Sequence, residues 1–184
     1  TIGTVVAVRI QMTALPQLAA DGVTLVLFGA DPLARATTLD SVIRHARRGA
    51  LSLLTIELDD PTGYGRIVRD SGGAVTAIVE HKDATPEQRA IREINTGVMA
   101  APTALLARWA ASLKPDNAQG EFYLTDLVGL ARARGLKAGV AHCDERDVQG
   151  VNSQAELATV ERVFQDGVRE RMMVAGVTIP APET

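Results

Sequence analysis

The amino-acid sequence predicts an α/β domain in which a sheet is flanked by helices. Segments of strand and helix character alternate along the chain, as they do in layered α/β proteins. The 184 residues are 46% hydrophobic and 22% charged, which is ordinary for a globular protein and sufficient for one domain with a sizeable core. Aromatic residues make up only 3% of the chain, so we expect a core of aliphatic side chains and alanine.

The composition also excludes several classes of protein. No apolar run approaches the roughly 20 residues that span a bilayer, so no membrane association is expected. A net charge of -3 without a basic tract argues against nucleic acid as a partner. The single cysteine, Cys143, cannot form an internal disulfide, which fits a reducing compartment and predicts a cytoplasmic protein. We expect Cys143 to be a small buried hydrophobic residue.

The first half of the chain predicts two buried strands and a hairpin. Residues 23–28 (VTLVLF) are apolar and rich in β-branched side chains. The Thr-x-x-Asp spacing of residues 37–40 resembles a capping box and predicts a helix that ends at Gly49. Residues 51–58 (LSLLTIEL) predict the second strand, and 66–80 predict two short strands joined by an Asp-Ser-Gly-Gly turn.

The second half predicts a further strand–helix alternation. In chain order we expect a strand over 93–101, a helix opened by Pro102, a helix over 123–134, a strand over 137–143, and a long helix capped by Ser153 that ends near Gly176. Trp109 lies on the apolar stripe of the helix after Pro102, which favours core packing over ligand stacking. At the N-terminus, residues 5–10 favour a strand, while 11–20 are compatible with a helix.

Polar and Gly-rich residues follow several predicted strands, where ligands bind in open α/β sheets. These segments are Gly29–Pro32, Asp59–Gly65, Glu80–Asp83 and Gly150–Asn152. Gly63 and Gly65 either let the backbone approach a ligand or simply form a tight turn. Asn95 stands inside an apolar strand, and its amide is either a structural hydrogen-bonding group or a ligand contact. The three histidines lack metal-ligand spacing, and we expect them to be structural or surface residues.

Four long stretches occur in a fixed order and carry a resemblance to a known family. They are LDDPTGYGRIVR (58–69), IVEHKDAT (78–85), EINTGV (93–98) and NAQGEFYLTDL (117–127), followed by GVN (150–152). Together they resemble the uridyltransferase domain of the bacterial bifunctional N-acetylglucosamine-1-phosphate uridyltransferase/glucosamine-1-phosphate acetyltransferase. The resemblance covers nearly the whole chain. It implies a Rossmann-like nucleotidyltransferase (sugar-nucleotide pyrophosphorylase) fold with a mixed sheet flanked by helices.

The resemblance implies a Mg²⁺-dependent reaction of UTP with N-acetylglucosamine 1-phosphate, giving UDP-N-acetylglucosamine and pyrophosphate for cell-wall precursor synthesis. The sugar phosphate attacks the α-phosphorus of UTP in line, so catalysis requires mainly positioning and charge neutralisation. No residue is identified as a catalytic acid, base or nucleophile.

By the same resemblance, individual residues match substrate-binding positions of the family. These are Gly3 and Thr4 at the uracil end, Phe28 and Gly29 after the strand, Gly65 in the GYG turn, Glu80 and Asn95 at the sugar, and Asn152. Asn152 also matches a Mg²⁺ ligand. Ala30 stands where the family has its metal-binding Asp, so Asp31, one residue later, is the other candidate metal ligand that the resemblance implies in this chain.

Two expectations concern the ends of the chain. Residues 1–176 match a partial uridyltransferase domain that lacks the family's N-terminal Gly-rich loop, and 177–184 match the start of a linker to the β-helix acetyltransferase domain. The family forms trimers through that second domain, so for this chain we expect instead a dimer or an aggregation-prone monomer.

The alternative to an active enzyme is a catalytically inactive fragment that retains only sugar-nucleotide binding, and we expect no measurable turnover from the 184 residues alone.

Overall fold

A mixed six-stranded sheet organises the structure. The computed structural model describes residues 21–28, 32–48, 51–116, 120–151 and 153–183. The strands in this part of the chain are β1 (Val23–Val26), β2 (Ser52–Glu57), β3 (Arg66–Arg69), β4 (Val75–Val79), β5 (Glu93–Pro102) and β6 (Gly139–His142). The α-helices are α1 (Ala36–Ala46), α2 (Pro86–Arg89), α3 (Thr103–Ser112), α4 (Leu127–Arg132) and α5 (Gln154–Val174). The predicted α/β class is therefore confirmed.

The longest strand, β5, lies at the centre of the sheet. The strand order is β4-β3-β5-β2-β6, and β1 also pairs with β5. β5 is antiparallel to β1, β2 and β3, whereas β2 and β6 are parallel. Strand β2 pairs with one edge of β5 along nearly the whole length of β5. Strands β1 and β3 therefore both pair with the opposite edge, one after the other along β5. Their registers, Val26 opposite Met99 and Arg66 opposite Ile94, leave residues 95–98 between the two strands.

The sheet has an apolar core on each face. Along β2, successive side chains alternate between faces, so Leu53 belongs to one cluster and Leu54 to the other. Leu53 packs in the larger cluster with residues of α3 and α4, including Trp109, which is fully buried as predicted. Leu54 packs in a cluster with Val42 of α1. Both faces are thus covered by helices, and residues 95–98 of β5 lie in the interval between β1 and β3.

Most predicted elements form where the sequence places them, and one predicted helix start, at residues 37–40, differs from expectation. The hairpin is confirmed, and Asp70 Oδ1 accepts hydrogen bonds from the backbone of Gly72 and Ala74 within its turn. Ser153 caps α5 as predicted, accepting from the Glu156 amide. The capping box predicted at residues 37–40 is wrong, because α1 already begins at Ala36 and has no side-chain cap.

Helix α2 was not predicted. It is only one turn long, and a capping box between Thr85 and Gln88 fixes its start. The predicted elements over 5–20 and the predicted stop at Gly49 lie outside the described residues. Among the described residues, no helix combines the length and apolar character that a membrane crossing requires.

Candidate functional site

The predicted site residues that the structure describes are Phe28, Gly65, Glu80 and Asn95, and all four adjoin the interval between β1 and β3. Gly65 directly precedes β3, and Glu80 directly follows β4. Asn95 lies on β5, and Phe28 follows β1 by two residues. The other predicted site residues, Gly3, Thr4, Gly29, Asp31 and Asn152, lie outside the described residues.

Gly65 joins the central strand to the end of the hairpin. Its backbone carbonyl accepts a hydrogen bond of 2.9 Å from the backbone N–H of Asn95. A Cβ at this position would lie 3.3 and 3.4 Å from the two carboxylate oxygens of Glu80 and 3.0 Å from Cγ2 of Ile78. The Gly65 backbone is buried but does not adopt the left-handed conformation. A side chain here would crowd Ile78 and the Glu80 carboxylate, so glycine is favoured by this close approach and not by a tight turn.

Glu80 is a half-buried acid in an acidic environment. Burial raises the pKa of Glu80, and the nearby charges of Asp83 and Asp126 raise it further, while a hydrogen bond from Thr125 opposes the shift. Thr125 Oγ1 donates that bond to Glu80 Oε1 over 3.2 Å. Burial and the charge of Asp83 also raise the pKa of Asp126. The site therefore presents a carboxylate that accepts a hydrogen bond from one hydroxyl. Further hydrogen-bond donors would stabilise its ionised form.

Asn95 supplies an acceptor to the same place. Its side-chain Oδ1 is buried and has no hydrogen-bond partner among the described residues. Ser52 Oγ and Trp109 Nε1 are also buried without partners there, but only Asn95 is bonded through its backbone to another predicted site residue. A buried amide oxygen without a partner costs free energy, about 1–3 kcal/mol, which a donor from a ligand would recover. The described residues leave both roles of Asn95 open, because they supply no partner for its buried Oδ1.

Phe28 forms the apolar side of the site. Its ring contacts Gly97, which has a φ of +88° and lies two residues after Asn95 on β5. The ring is 42% exposed, and the adjacent Leu27 is 46% exposed. Tyr64, next to Gly65, is 48% exposed. An exposed apolar surface therefore adjoins buried hydrogen-bonding groups, which is the combination typical of small polar-ligand sites.

Two functional neighbours, Thr125 and Gly97, were not identified as site residues from the sequence. Thr125 lies in the motif NAQGEFYLTDL and Gly97 in EINTGV, so the motifs that carry the resemblance could have identified them. Residue type alone could not single them out, because a threonine before a helix and a glycine in a strand each have common structural roles.

The described residues hold no group of three or more His, Cys, Asp or Glu side chains arranged to bind a metal ion. Each of the three histidines contacts a polar group of the protein through Nδ1. His45 Nδ1 contacts the Ser41 carbonyl, His142 Nδ1 contacts Thr55 Oγ1, and His81 Nδ1 contacts Arg66.

Cys143 packs against two of the apolar clusters and is half-buried, in line with the expected hydrophobic role. Burial, with the charges of Asp147 and Asp144, raises the pKa of the Cys143 thiol to about 12. A thiol with so high a pKa is a poor nucleophile near neutral pH, because nucleophilic attack requires the thiolate.

Comparison with known proteins gives a consistent result. The chain is 52% identical over 182 residues to the bifunctional protein GlmU of Burkholderia lata, an alignment that covers 98% of the chain and 40% of the relative. The bifunctional protein GlmU of Burkholderia multivorans matches equally, and that of Paraburkholderia phytofirmans is 53% identical over 170 residues, covering 92% of the chain and 38% of the relative. The chain thus spans about two fifths of the length of these relatives. No family model matches the chain.

Proposed function

We propose that this chain, which is homologous to part of the bifunctional protein GlmU, forms the sugar-binding part of a nucleotidyltransferase site that makes UDP-N-acetylglucosamine from UTP and N-acetylglucosamine 1-phosphate. The homology supports the resemblance found in the sequence motifs and supports a nucleotidyltransferase role. The substrates follow from that resemblance and from the chemistry of the site.

The observation that carries the proposal is the convergence of Gly65, Glu80 and Asn95 at the interval between β1 and β3. Glu80 offers an acceptor carboxylate, and Asn95 offers a buried amide oxygen without a partner among the described residues. Sugar hydroxyls and an N-acetyl amide are donors that both groups accept. The exposed Phe28 ring beside Gly97 gives the apolar surface that one face of a sugar ring or its acetyl methyl group would cover.

Mg²⁺ belongs to the proposal as the cofactor of the transfer step. The residues that the resemblance assigns to it are Asp31 and Asn152, and the oxygen donors of a carboxylate and an amide suit this ion. When bound, Mg²⁺ would neutralise charge on the phosphates. The residues described above act on the sugar: Glu80 and Asn95 orient it, and Phe28 excludes water from one face.

Binding of UDP-N-acetylglucosamine by calorimetry tests the proposal. We expect the chain to bind this ligand, and Glu80→Gln and Asn95→Ala to weaken binding at least about tenfold, because each removes a charged or buried acceptor. Glu87→Gln is the matched control, since Glu87 is exposed on α2 and lies outside the site. No binding by the unaltered chain, or equal loss in the Glu87 variant, would contradict the proposal.

Two further measurements separate an active enzyme from a fragment that only binds. Pyrophosphate release from UTP and N-acetylglucosamine 1-phosphate would show turnover by this chain. Affinity for UDP-N-acetylglucosamine that falls on addition of EDTA would show a metal-dependent site, whereas metal-independent binding without turnover would support the binding-only fragment.

A further inference from the structure

Arg66 is a buried cation that the proposed reaction does not use. Its side chain is only 1% exposed, although it stands at the start of β3. Within the described part of the chain, its hydrogen-bond partners are two backbone carbonyls and one imidazole, with no carboxylate among them. A guanidinium removed from water is costly. Arg66 interacts electrostatically with Asp60 but forms no ion pair with a carboxylate of the described residues, so its retention requires an explanation.

The partners of Arg66 belong to three different segments. Nη1 donates to the carbonyl of Tyr64, and Nη2 contacts Nδ1 of His81 at 3.3 Å. Nε and Nη2 both donate to the carbonyl of Arg89 at 3.4 Å, next to the end of α2. The guanidinium cannot accept a hydrogen bond, so in this contact it is the donor and His81 Nδ1 the acceptor.

These contacts surround the two ligand-binding groups of the hairpin. Tyr64 directly precedes Gly65, and His81 directly follows Glu80. The last pair of the β3–β4 ladder is Arg66 with Val79, so Gly65 and Glu80 lie one residue beyond the regular ladder. His81 is also held from its other side, because Arg89 Nε donates to its carbonyl over 3.2 Å.

We propose that Arg66 is a positioning residue that fixes the backbone of Gly65 relative to the carboxylate of Glu80. The planar guanidinium contacts Tyr64 on one side of the site and His81 on the other, just beyond the point where the pairing of β3 with β4 ends. Lysine would carry the same charge, but its single ammonium group cannot reach acceptors on three segments at once. The consequence for ligand affinity rests on the proposed function, whereas the positioning itself does not.

Amide hydrogen exchange tests the positioning without any ligand. The amide of Tyr64 is bonded to the Pro61 carbonyl, and that of Asp83 to the Glu80 carbonyl, so these two amides report on the two segments. We expect Arg66→Lys to speed exchange at both amides by about tenfold or more, while amides of β2 change little. Arg69→Lys is the matched control, because Arg69 lies on the same strand and its ion pair with Glu93 involves neither Gly65 nor Glu80.

The outcomes separate cleanly. Unchanged exchange at Tyr64 and Asp83 in Arg66→Lys, or an equal rise in Arg69→Lys, would overturn the proposal. If Arg66→Lys does not fold, His81→Ala decides the matter, because it removes the imidazole acceptor of Arg66 and should speed exchange at Asp83. Unchanged exchange at Asp83 in that variant would overturn the proposal in the same way.

Calorimetry with UDP-N-acetylglucosamine then tests the functional consequence. We expect the dissociation constant to rise at least about tenfold in Arg66→Lys and to stay unchanged in Arg69→Lys. Equal affinity in both would refute a role of Arg66 in binding. Absence of binding by the unaltered chain would refute the proposed function, and the exchange measurement would still decide whether Arg66 positions the segments.

Discussion

The ring of Phe28 lies so close to Gly97 that a Cβ built on the glycine would come within 1.9 Å of Phe28 Cε2. The two residues are 69 positions apart in sequence, and the antiparallel pairing of β1 with β5 brings them together. Gly97 also has a φ of +88°, which disfavours any side chain. Two independent reasons therefore require glycine at this point.

Gly97→Ala should destabilise the fold by roughly 2–4 kcal/mol, because left-handed strain adds to the clash with the ring. Denaturant titration measures the loss. Gly73→Ala is the matched control: its φ is +79°, but a Cβ there would meet nothing within 4 Å. The Gly73 variant should lose only the free energy of the left-handed backbone strain, about 1–2 kcal/mol. Equal losses in the two variants would show that Phe28 does not press on Gly97.

Gly65→Ala should weaken binding of UDP-N-acetylglucosamine by about tenfold at a small cost in stability. The backbone at Gly65 suits alanine, but the new Cβ would crowd Ile78 and the Glu80 carboxylate, which must then move. Calorimetry and denaturant titration on the same samples separate the two effects. Gly129→Ala, on α4 with open space around its Cβ, should leave binding unchanged and stabilise by about 0.5–1 kcal/mol. Unchanged affinity in the Gly65 variant would contradict the close approach of Glu80.

Glu80→Gln should stabilise the fold at neutral pH while weakening ligand binding. Because burial raises the pKa of Glu80 in the folded state, its ionised form opposes folding. That penalty appears as pH rises through the raised pKa and vanishes below the ordinary value of 4.5, so the advantage of glutamine should shrink as the solution is acidified. Thermal unfolding between neutral pH and about pH 4 measures this trend.

Glu87→Gln should behave in the opposite way. Hydrogen bonds at the start of α2 lower the pKa of the exposed Glu87, so its charged form favours folding above the ordinary value of 4.5 and this benefit is lost on acidification. The variant should therefore be slightly less stable than the unaltered chain at neutral pH. A stability change of the same sign in both variants would argue against the buried position of Glu80.

Asp147→Ala should destabilise the fold by about 1–3 kcal/mol, because Asp147 is buried and joins two segments. It accepts from Thr38 Oγ1 at 2.8 Å and pairs with Arg35 at 2.9 Å, so it ties the start of α1 to the turn at residues 145–148. Asp166→Ala removes an equally short but exposed pair with Arg169 on α5 and should cost no more than about 1 kcal/mol. Denaturant titration measures both losses of stability. Comparable losses in the two variants would mean that the burial of Asp147 does not increase the contribution of its contacts to stability.

Much of the fold could be predicted from the sequence because its signals are local. The apolar runs at 23–28 and 51–58 predict buried strands on their own, and an Asp-Ser-Gly-Gly turn predicts a hairpin wherever two strand-like segments flank it. The failures are local as well. The Thr-x-x-Asp spacing predicts an N-cap at Thr37, but α1 begins at Ala36, two residues earlier than this cap implies, and has no side-chain cap. Helix α2 is too short to show a periodic pattern.

The sequence by itself determined the α/β class, the order of the described strands and long helices, and the identity of Gly65, Glu80 and Asn95 as candidates, because periodicity and motifs are local properties of the chain. Only the tertiary structure decided which residues meet. The register of β1 and β3 on one edge of β5 places Phe28 on Gly97, and the end of the β3–β4 ladder places Arg66 between Tyr64 and His81. Such contacts depend on side chains far apart in sequence and on packing at short distances, which no local pattern specifies.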